Sequence, residues 1–284
     1  MNILVTGGSG FLGSYLVKEL IKKNHKITVL DKNLPRFKFN KKIKFIKSDL
    51  LDKNIQRAFK NQDVIFHYAG ISGIGEAMLN PETTANYNII GTIRLLEQCV
   101  KFKIKRFVFA STVYVNSEQG SFYKSSKRAS EDFIEEYKKR YNLDFTILRF
   151  GTVYGLRASK ENSINKIIDT ALKKKRVIYE GNRKNIREYI NVQDAAKMAI
   201  KTMNKKYANK YIQISGSYKV PVTKALKIIK KELGYNSKII YKNKKDVGHY
   251  ILTPDNLKIK NAIKINFRQT IPFNLGIREI IKNK

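Results

Sequence analysis

The chain is poor in cysteine, in tryptophan and in long apolar runs. Of its 284 residues only Cys99 is a cysteine, and none is a tryptophan. A single cysteine excludes internal disulfides and any metal site built from several thiolates, and we expect it in the core. No apolar run approaches the roughly 20 residues that span a membrane, and a strand predicted to begin at residue 2 leaves no room for a signal peptide. We therefore expect a cytoplasmic protein that holds no metal and does not enter a membrane.

Acidic residues are scarce as well, so the chain is strongly basic. It has 57 lysines and arginines against 23 aspartates and glutamates, a formal net charge of +34. This charge would suit RNA binding, but that function needs basic residues gathered on one face and interleaved with aromatic side chains. The lysines instead spread through almost every segment, as an AT-rich coding sequence produces. We expect no nucleic-acid partner, although the charge would attract a substrate that carries a diphosphate.

The most informative stretch is the amino terminus, which reads MNILVTGGSGFLG. The apolar residues 3–5 predict a buried parallel strand, and a helical pattern begins behind the glycines. Glycines let a backbone approach phosphates, and the helix N-terminus offers N–H groups and the positive end of its dipole. The spacing is GxxGxxG rather than GxGxxG. We predict a dinucleotide site here, with contacts from Gly7, Gly10, Phe11, Leu12 and Gly13.

Asp31 ends the second predicted strand, about 20 residues past the glycines. A carboxylate there can accept hydrogen bonds from the adenosine ribose and would repel a 2′-phosphate, which favours NAD over NADP. Lys32 and Arg36 lie close by and weaken this preference. The alternative is that Asp31 is an ordinary turn residue.

Strand and helix patterns alternate along the first 150 residues. We predict strands near residues 2–6, 26–30, 43–47, 63–67, 105–110 and 144–149, and helices near residues 11–23, 53–60, 82–101 and 125–141. Strands that alternate with amphipathic helices form a doubly wound parallel sheet with helices on both faces. The predicted fold class is therefore α/β with a Rossmann sheet.

The elements become shorter after Gly155. We predict helices near residues 160–174, 191–204 and 221–234, and short strands near residues 176–179, 209–214 and 238–241. We interpret residues 1–155 as a dinucleotide-binding domain that carries the catalytic residues. Residues 156–284 would form mainly a smaller α/β substrate-binding lobe, with residues 184–204 returning to the first domain.

Tyr123 and Lys127 lie four residues apart on one face of a predicted helix. An ammonium group near a phenol lowers the pKa of the phenol, and the same lysine can hold a ribose. The pair follows the fifth strand, whose end carries Ser111 and Thr112, and ligands of open α/β sheets bind outside such strand ends. We predict that Tyr123 moves a proton while a hydroxyl of this strand end, Ser111 or Thr112, hydrogen-bonds the reacting oxygen.

Motifs in the same order resemble one protein family along nearly the whole chain. They are TGGSGFLG at residues 6–13, Asp31, Asp49-Leu50, HYAG at 67–70, NIIGT at 88–92, Ser111-Thr112, Tyr123 with Lys127, LRFGTVYG at 148–155 and REYINVQD at 187–194. In this set the chain resembles extended short-chain dehydrogenases/reductases of the NAD-dependent sugar epimerase/dehydratase family.

The resemblance implies a role for each motif. The cofactor would be NAD, which meets the glycine turn and also Asp31, Asp49, Leu50, Ala69, Gly70, Ser111, Tyr123 and Lys127. The catalytic residues would be Thr112, Tyr123 and Lys127. A nucleotide sugar would bind at Thr152 and at Arg187, with the arginine on its diphosphate. His67 would line the cofactor through its backbone, and Asn88 would be mainly structural.

The resemblance also implies the reaction. Tyr123 as a phenolate would remove a proton from a sugar hydroxyl while hydride passes to NAD, and the keto-sugar would then be reduced on its other face. We expect a 4-epimerase of a UDP-hexose or another nucleotide hexose. Related enzymes form dimers through two helices, here near residues 82–101 and 125–141. The second carries Phe133, Ile134 and Tyr137 beyond one narrow stripe, so we expect a homodimer.

Departures from the family pattern limit which reactions and substrates the resemblance implies. Val113 and Tyr114 stand where dehydratases carry Asp-Glu, so removal of water is not expected. Thr152 replaces an asparagine and Lys244-Lys245-Asp246 replace RPGD, which leaves the sugar and its nucleotide open. A keto-sugar reductase with exchangeable NAD(P)H is the alternative. A non-catalytic dinucleotide-binding protein is less favoured, because the Tyr–Lys pair is kept.

Overall fold

The computed structural model describes residues 1–35, 43–242, 248–249, 252–254, 260, 262–265 and 267–284, and Arg36 and Lys244-Lys245-Asp246 lie outside these described residues. The strands are β1 Asn2–Thr6, β2 Lys26–Asp31, β3 Ile43–Lys47, β4 Val64–His67, β5 Arg106–Thr112, β6 Phe145–Phe150, β7 Thr152–Tyr154, β8 Ile178–Tyr179, β9 Ile186–Arg187, β10 Tyr189–Asn191, β11 Lys210–Ile214, β12 Val220–Pro221, β13 Ile240–Tyr241 and β14 Ile263–Lys264. The helices are α1 Phe11–Lys22, α2 Ile74–Leu79, α3 Pro81–Ala85, α4 Gly91–Lys101, α5 Ser121–Tyr141, α6 Ser163–Lys174, α7 Val192–Lys201, α8 Val222–Glu232 and α9 Phe273–Lys282. Shorter helical turns are Lys53–Ala58, Asn86–Ile90, Val113–Asn116 and Lys205–Tyr207.

Eight strands form one parallel sheet in the order β14-β11-β6-β5-β4-β1-β2-β3. The chain order reverses between β1 and β4, where Thr6 lies opposite His67. Open α/β sheets bind their ligands in the crevice at such a switch point, outside the carboxyl ends of the strands. The predicted α/β class with a Rossmann sheet is confirmed, and the site is expected at this edge.

The core lies on both faces of the sheet, because successive side chains of a buried strand point to opposite faces. On one face α1 and α7 pack together, with Leu16 and Ala195 in the same apolar cluster. On the other face α4 and α5 bring Leu96 and Ile134 onto the sheet. Cys99 is buried in this second cluster, which confirms that it is a core residue.

The second lobe has a core of its own. Helices α6, α8 and α9 contribute Ile168, Leu226 and Ile277 to it, and pairs of short strands join β7 to β10, β9 to β12 and β8 to β13. The placement of residues 209–214 in this lobe was wrong, because β11 pairs with β6 in the main sheet. A buried apolar pattern identifies a strand, but it does not say which sheet the strand joins.

The helix predicted over residues 82–101 has an irregular centre. Between α3 and α4, residues Asn86–Ile90 form a π-helical turn. Such turns are rare in proteins, and those that occur often lie at functional sites. This one carries Tyr87 and Asn88 at the edge of the sheet.

Within the described part of the chain, no helix is both long enough and apolar enough to cross a membrane.

Candidate active site

The glycine turn connects β1 to the N-terminus of α1. Gly7 has a φ of +72°, and a Cβ on it would lie 2.5 Å from the backbone nitrogen of Ala69. A Cβ on Gly13 would collide with the carbonyl oxygen of Gly7. The turn therefore depends on glycine at both positions. Helix α1 begins directly behind it and has no acidic residue in its first turn, which favours an anion at its N-terminus.

Two polar groups beside this turn fit a dinucleotide. Ser9 Oγ is buried and has no hydrogen-bond partner among the described residues. Asp31 is also buried, and its two carboxylate oxygens accept the backbone N–H groups of Ser9 and Asn33, each at 2.9 Å. These bonds fix the carboxylate beside the turn and leave lone pairs for ribose hydroxyls. The residues present thus fit the pyrophosphate and ribose of NAD.

Asp49 and Leu50, which the resemblance assigns to the cofactor site, follow β3. Leu50 is buried, while Asp49 accepts the backbone N–H of Leu51 at 3.0 Å and the hydroxyl of Tyr87 at 2.7 Å. The π-helical turn thus brings Tyr87 to the end of β3. Tyr87 could not be identified from the sequence, because nothing in the local pattern shows a π-helical turn.

Asn88 links the cofactor-lining loop to the catalytic helix. Its buried side chain accepts the N–H of Ile71 at 2.8 Å and donates to the Ile71 carbonyl at 3.0 Å. It also donates to Ser126 Oγ at 2.9 Å. Ile71 follows Ala69 and Gly70, and Ser126 lies on α5 beside the Tyr–Lys pair. This bonding fits the structural role that the resemblance implies for Asn88.

His67 is a buried, neutral structural residue at the end of β4. Its Nδ1 lies 2.8 Å from Thr6 Oγ1 and its Nε2 lies 3.0 Å from Thr92 Oγ1. Burial, together with the charge of Lys127, holds the pKa of His67 well below its usual value. The imidazole therefore joins two neighbouring segments and stays uncharged.

We expect His67 to make the protein less stable as the pH falls below about 6.5. The unfolded chain takes up a proton on this ring near that pH, whereas the folded protein does not until a much lower pH. Stability is therefore full above pH 6.5 and is lost below it, by up to about 1.4 kcal/mol per pH unit. Urea unfolding at pH 7.5, 6.5 and 5.5 measures the slope. His67→Asn should have the smaller slope, and equal slopes would contradict the prediction.

Thr112 and Tyr123 come together at the end of β5. Tyr123 lies half-buried in the first turn of α5. Burial raises the pKa of Tyr123 to about 12, and a hydrogen bond with the Thr112 side chain acts in the opposite direction. Thr112 Oγ1 also accepts the backbone N–H of Tyr114 at 3.2 Å. The structure thus joins the two hydroxyls that the sequence assigns to one reacting oxygen.

Lys127 is buried one turn further along α5. Its Nζ donates to the Ala110 carbonyl at 3.0 Å and lies 4.6 Å from the centre of the Phe109 ring. Burial lowers the pKa of Lys127 to about 8, although the charge of Glu131 acts to raise it. We predicted that Lys127 lowers the pKa of Tyr123. The pKa of Tyr123 instead rises, because burial outweighs the hydrogen bond with Thr112, and the Lys127 ammonium donates to the Ala110 carbonyl.

Ser111 takes part in a buried ionic network. Its Oγ donates to Glu131 Oε1 at 2.5 Å, and both oxygens of Glu131 accept hydrogen bonds from Arg149, at 3.1 and 2.7 Å. Arg149 also lies over the ring of Tyr211, 4.4 Å from its centre. Because the Ser111 hydroxyl is committed to this carboxylate, the geometry favours Thr112 as the catalytic hydroxyl. A cofactor contact from the Ser111 side chain would have to use its oxygen as an acceptor.

Substitution separates the two hydroxyls. We expect Thr112→Ala to lower kcat by about 10²-fold, the usual effect of removing one donor at a reacting oxygen. Thr112→Ser, which keeps the hydroxyl, should retain most of the activity. Ser111→Ala should lower kcat less than tenfold and reduce stability by about 1–2 kcal/mol, since a buried carboxylate loses a donor. A larger loss of kcat in Ser111→Ala than in Thr112→Ala would reverse the assignment.

The predicted substrate-binding residues lie where the second lobe meets the sheet. Thr152 lies opposite Tyr189 in the parallel pair β7–β10. Arg187 is buried in β9, two residues before Tyr189, and its Nη1 donates to the Ile186 carbonyl at 3.1 Å. The two residues thus come from neighbouring segments. Thr152 follows the carboxyl end of β6, and Arg187 belongs to the lobe behind it.

Glu131 and Arg149 are parts of the site that the motifs do not reveal. Arg149 lies within the LRFGTVYG motif at residues 148–155, and no role in the site is predicted for it or for Glu131. A signal was present, since Glu131 follows Lys127 by four residues and shares its helix face. A carboxylate on the helix face that carries an active-site lysine is expected to lie beside the site.

Fold and site together define a dinucleotide-binding α/β enzyme with a Tyr–Lys pair at its strand ends. The chain belongs to the NAD dependent epimerase/dehydratase family, whose model matches residues 3–215. The resemblance inferred from the motifs is confirmed.

Individual relatives match along nearly the full chain. A protein of Methanocaldococcus jannaschii, provisionally named a UDP-glucose 4-epimerase, is 30% identical, over 98% of this chain and 97% of that protein. UDP-glucose 4-epimerase of Thermotoga maritima, solved with UDP-glucose, is 26% identical with a TM-score of 0.85, over 99% and 98% of the two chains. UDP-glucose 4-epimerase of Thermus thermophilus, solved with NAD, is 25% identical with a TM-score of 0.82, over 99% and 98%.

Proposed function

We propose that the protein is an NAD-dependent nucleotide-sugar epimerase that inverts C4 of a UDP-hexose. The observation that carries this proposal is the meeting of Thr112 and Tyr123 at the end of β5, with Lys127 one turn away and the glycine turn on β1. Such a hydroxyl pair can hold and deprotonate one alcohol. The UDP-glucose 4-epimerases named above share this chain's fold over almost its entire length.

The catalytic residues act on one sugar oxygen. Thr112 hydrogen-bonds the C4 hydroxyl, and Tyr123 takes its proton as the alcohol is oxidised to a ketone. NAD, when bound, supplies the hydride acceptor for this step and the hydride donor for the next. After the keto-sugar rotates so that its other face meets the cofactor, Tyr123 returns the proton to the same oxygen. Proton and hydride are both given back, so the reaction needs no external reductant.

In the second half of this cycle Tyr123 donates a proton, and its environment favours this step without a neighbouring charge. A phenol with a pKa near 12 is a proton donor at neutral pH. The first half needs the phenolate, which burial disfavours, so a positive charge must stabilise it. Lys127, with a pKa near 8, is the residue placed to supply that charge or to exchange the proton. We therefore assign Lys127 to proton management and to holding the nicotinamide ribose.

The substrate would lie between the strand ends and the second lobe. We assign Arg187 to its diphosphate and Thr152 to the sugar. Val113 and Tyr114 follow Thr112, so no carboxylate stands there to remove water, and this supports an epimerase over a dehydratase. A keto-sugar reductase would use the same residues, but the buried carboxylate of Asp31 favours NAD over the NADPH that reductases often use.

We further propose a cytoplasmic homodimer. The dimer would use the π-helical turn with α4, and α5, where Ile90 of the turn and Phe133 of α5 are about two-fifths exposed. Ile134 and Tyr137, the other apolar residues of α5 that the sequence offers for this surface, pack in the core instead. A lone buried cysteine is compatible with a reducing compartment. Light scattering of the purified protein measures the mass and tests the dimer.

Proton NMR of the purified protein with NAD and a panel of UDP-, GDP- and dTDP-sugars tests the function. No reductant is added. We expect a second anomeric signal to grow while the total amount of sugar stays constant, first with a UDP-hexose. No turnover across the panel, together with consumption of NAD(P)H when 4-keto sugars are added, would identify a reductase and overturn the proposal.

A further inference from the structure

Three side chains from three elements meet next to Asp31. Lys32 follows β2, Asp49 follows β3 and Tyr87 lies in the π-helical turn. The Lys32 ammonium lies 4.3 Å from the centre of the Tyr87 ring, donates to the Tyr87 hydroxyl at 3.3 Å and is 3.7 Å from Asp49 Oδ2. The Tyr87 hydroxyl in turn donates to the same oxygen of Asp49 at 2.7 Å. We call Lys32, Asp49 and Tyr87 the lysine clamp.

The position of this clamp bears on cofactor choice. Dinucleotide sites that accept a 2′-phosphate place a cationic side chain near the second strand end, whereas sites for NAD place a carboxylate there. This chain has both kinds of residue in succession, Asp31 and Lys32. A free Lys32 could pair a 2′-phosphate and offset the repulsion from Asp31. The ammonium is instead engaged on the β3 side of the site.

The anchor of the clamp is itself fixed. Asp49 Oδ1 accepts the N–H of Leu51 at 3.0 Å, which orients the carboxylate in its turn. The Tyr87 hydroxyl bridges the other oxygen to the lysine, and the Tyr87 ring offers its face to the same ammonium. The Lys32 side chain is still 52% exposed, so this ion pair contributes little to stability. Its effect would lie in where the charge is held.

We propose that Tyr87 and Asp49 hold Lys32 on the β3 side and thereby make the site selective for NAD over NADP. The inference rests on the proposed NAD-dependent function and names residues that set the preference. Asp31 disfavours the 2′-phosphate, and the clamp keeps the neighbouring cation from compensating for it. Selectivity thus depends on two residues that need not touch the 2′ position themselves.

The test is a thermodynamic cycle on binding. Equilibrium dialysis with radiolabelled NAD, and with unlabelled NAD or NADP as competitor, gives the ratio of the two dissociation constants. The ratio cancels effects on the adenine, which both dinucleotides share. In Tyr87→Leu/Asp49→Asn, which removes the ring, the hydroxyl and the carboxylate of the clamp, the freed Lys32 should shift this ratio up to about fivefold towards NADP, as expected for release of one exposed ion pair. Lys32→Ala in that background should abolish the shift.

Two controls keep the cycle decisive. Lys32→Ala in the natural chain should leave the ratio unchanged, since the clamped lysine is not used. Lys26→Ala, at the opposite end of β2, removes one surface charge and should change the ratio in neither background. A shift that survives Lys32→Ala would mean that loss of the Asp49 charge alone explains it, and would overturn the clamp. An unchanged ratio in the double variant would overturn it as well, and failure to bind either dinucleotide would overturn the proposed function too.

Discussion

Tyr123→Phe is expected to lower kcat by about 10³-fold, within the range that general acid–base catalysis contributes. The substitution removes one oxygen and leaves the ring in place. In the proposed cycle that oxygen both accepts and returns the proton of the sugar hydroxyl, so both half-reactions slow. The growth rate of the second anomeric signal in the NMR assay measures the effect. Binding of NAD should be nearly unchanged, because the glycine turn and Asp31 stay intact.

Tyr141→Phe is the matched control for this prediction. It makes the same change at the last residue of the same helix, where the side chain is 46% exposed. Its activity should equal that of the natural protein. If Tyr123→Phe kept more than about a tenth of kcat, another group would have to carry the proton, and the assignment of Tyr123 would be wrong. Unfolding curves of both variants exclude loss of the fold as the cause.

The strand ends of the first domain could be predicted from the sequence because their signals are local. The glycine turn, Asp31 and the four-residue spacing of Tyr123 and Lys127 each follow from backbone or helix geometry. Their meeting follows from the α/β class, since parallel strands place their carboxyl ends at one edge. The structure finds Thr112 and Tyr123 together there, as that reasoning requires.

What could not be predicted depends on contacts between distant segments. The membership of β11 in the main sheet depends on its pairing with β6, which no short window shows. The meeting of Lys32, Tyr87 and Asp49 depends on a π-helical turn. The pKa of Tyr123 was expected to fall because spacing places a lysine on the same helix face. The pKa of Tyr123 rises instead, because the phenol is buried and Lys127 donates to a backbone carbonyl. The spacing of residues along a helix reveals neither of these contacts.

The buried Glu131–Arg149 pair carries the largest expected effect on stability. Both side chains are almost completely buried, with Arg149 Nη2 2.7 Å from Glu131 Oε2. Arg149→Met leaves the Glu131 carboxylate buried without its cation, which should cost about 3–5 kcal/mol of unfolding free energy. Urea denaturation measures this loss. Lys139→Met, which breaks the exposed pair of Lys139 with Glu136 on α5, should produce no measurable change and serves as the control.

The double variant Glu131→Gln/Arg149→Met tells an uncompensated charge from lost packing. Without a buried charge, much of the loss in Arg149→Met should be recovered, since buried ion pairs are often no more stabilising than neutral residues of similar volume. A double variant as unstable as Arg149→Met would show that the pair acts through shape rather than charge. Because Glu131 holds Ser111 beside Thr112 and lies one turn from Lys127, the recovered protein should still have a lower kcat, with KM little changed. Stability regained while turnover stays low would identify Glu131 and Arg149 as positioning residues.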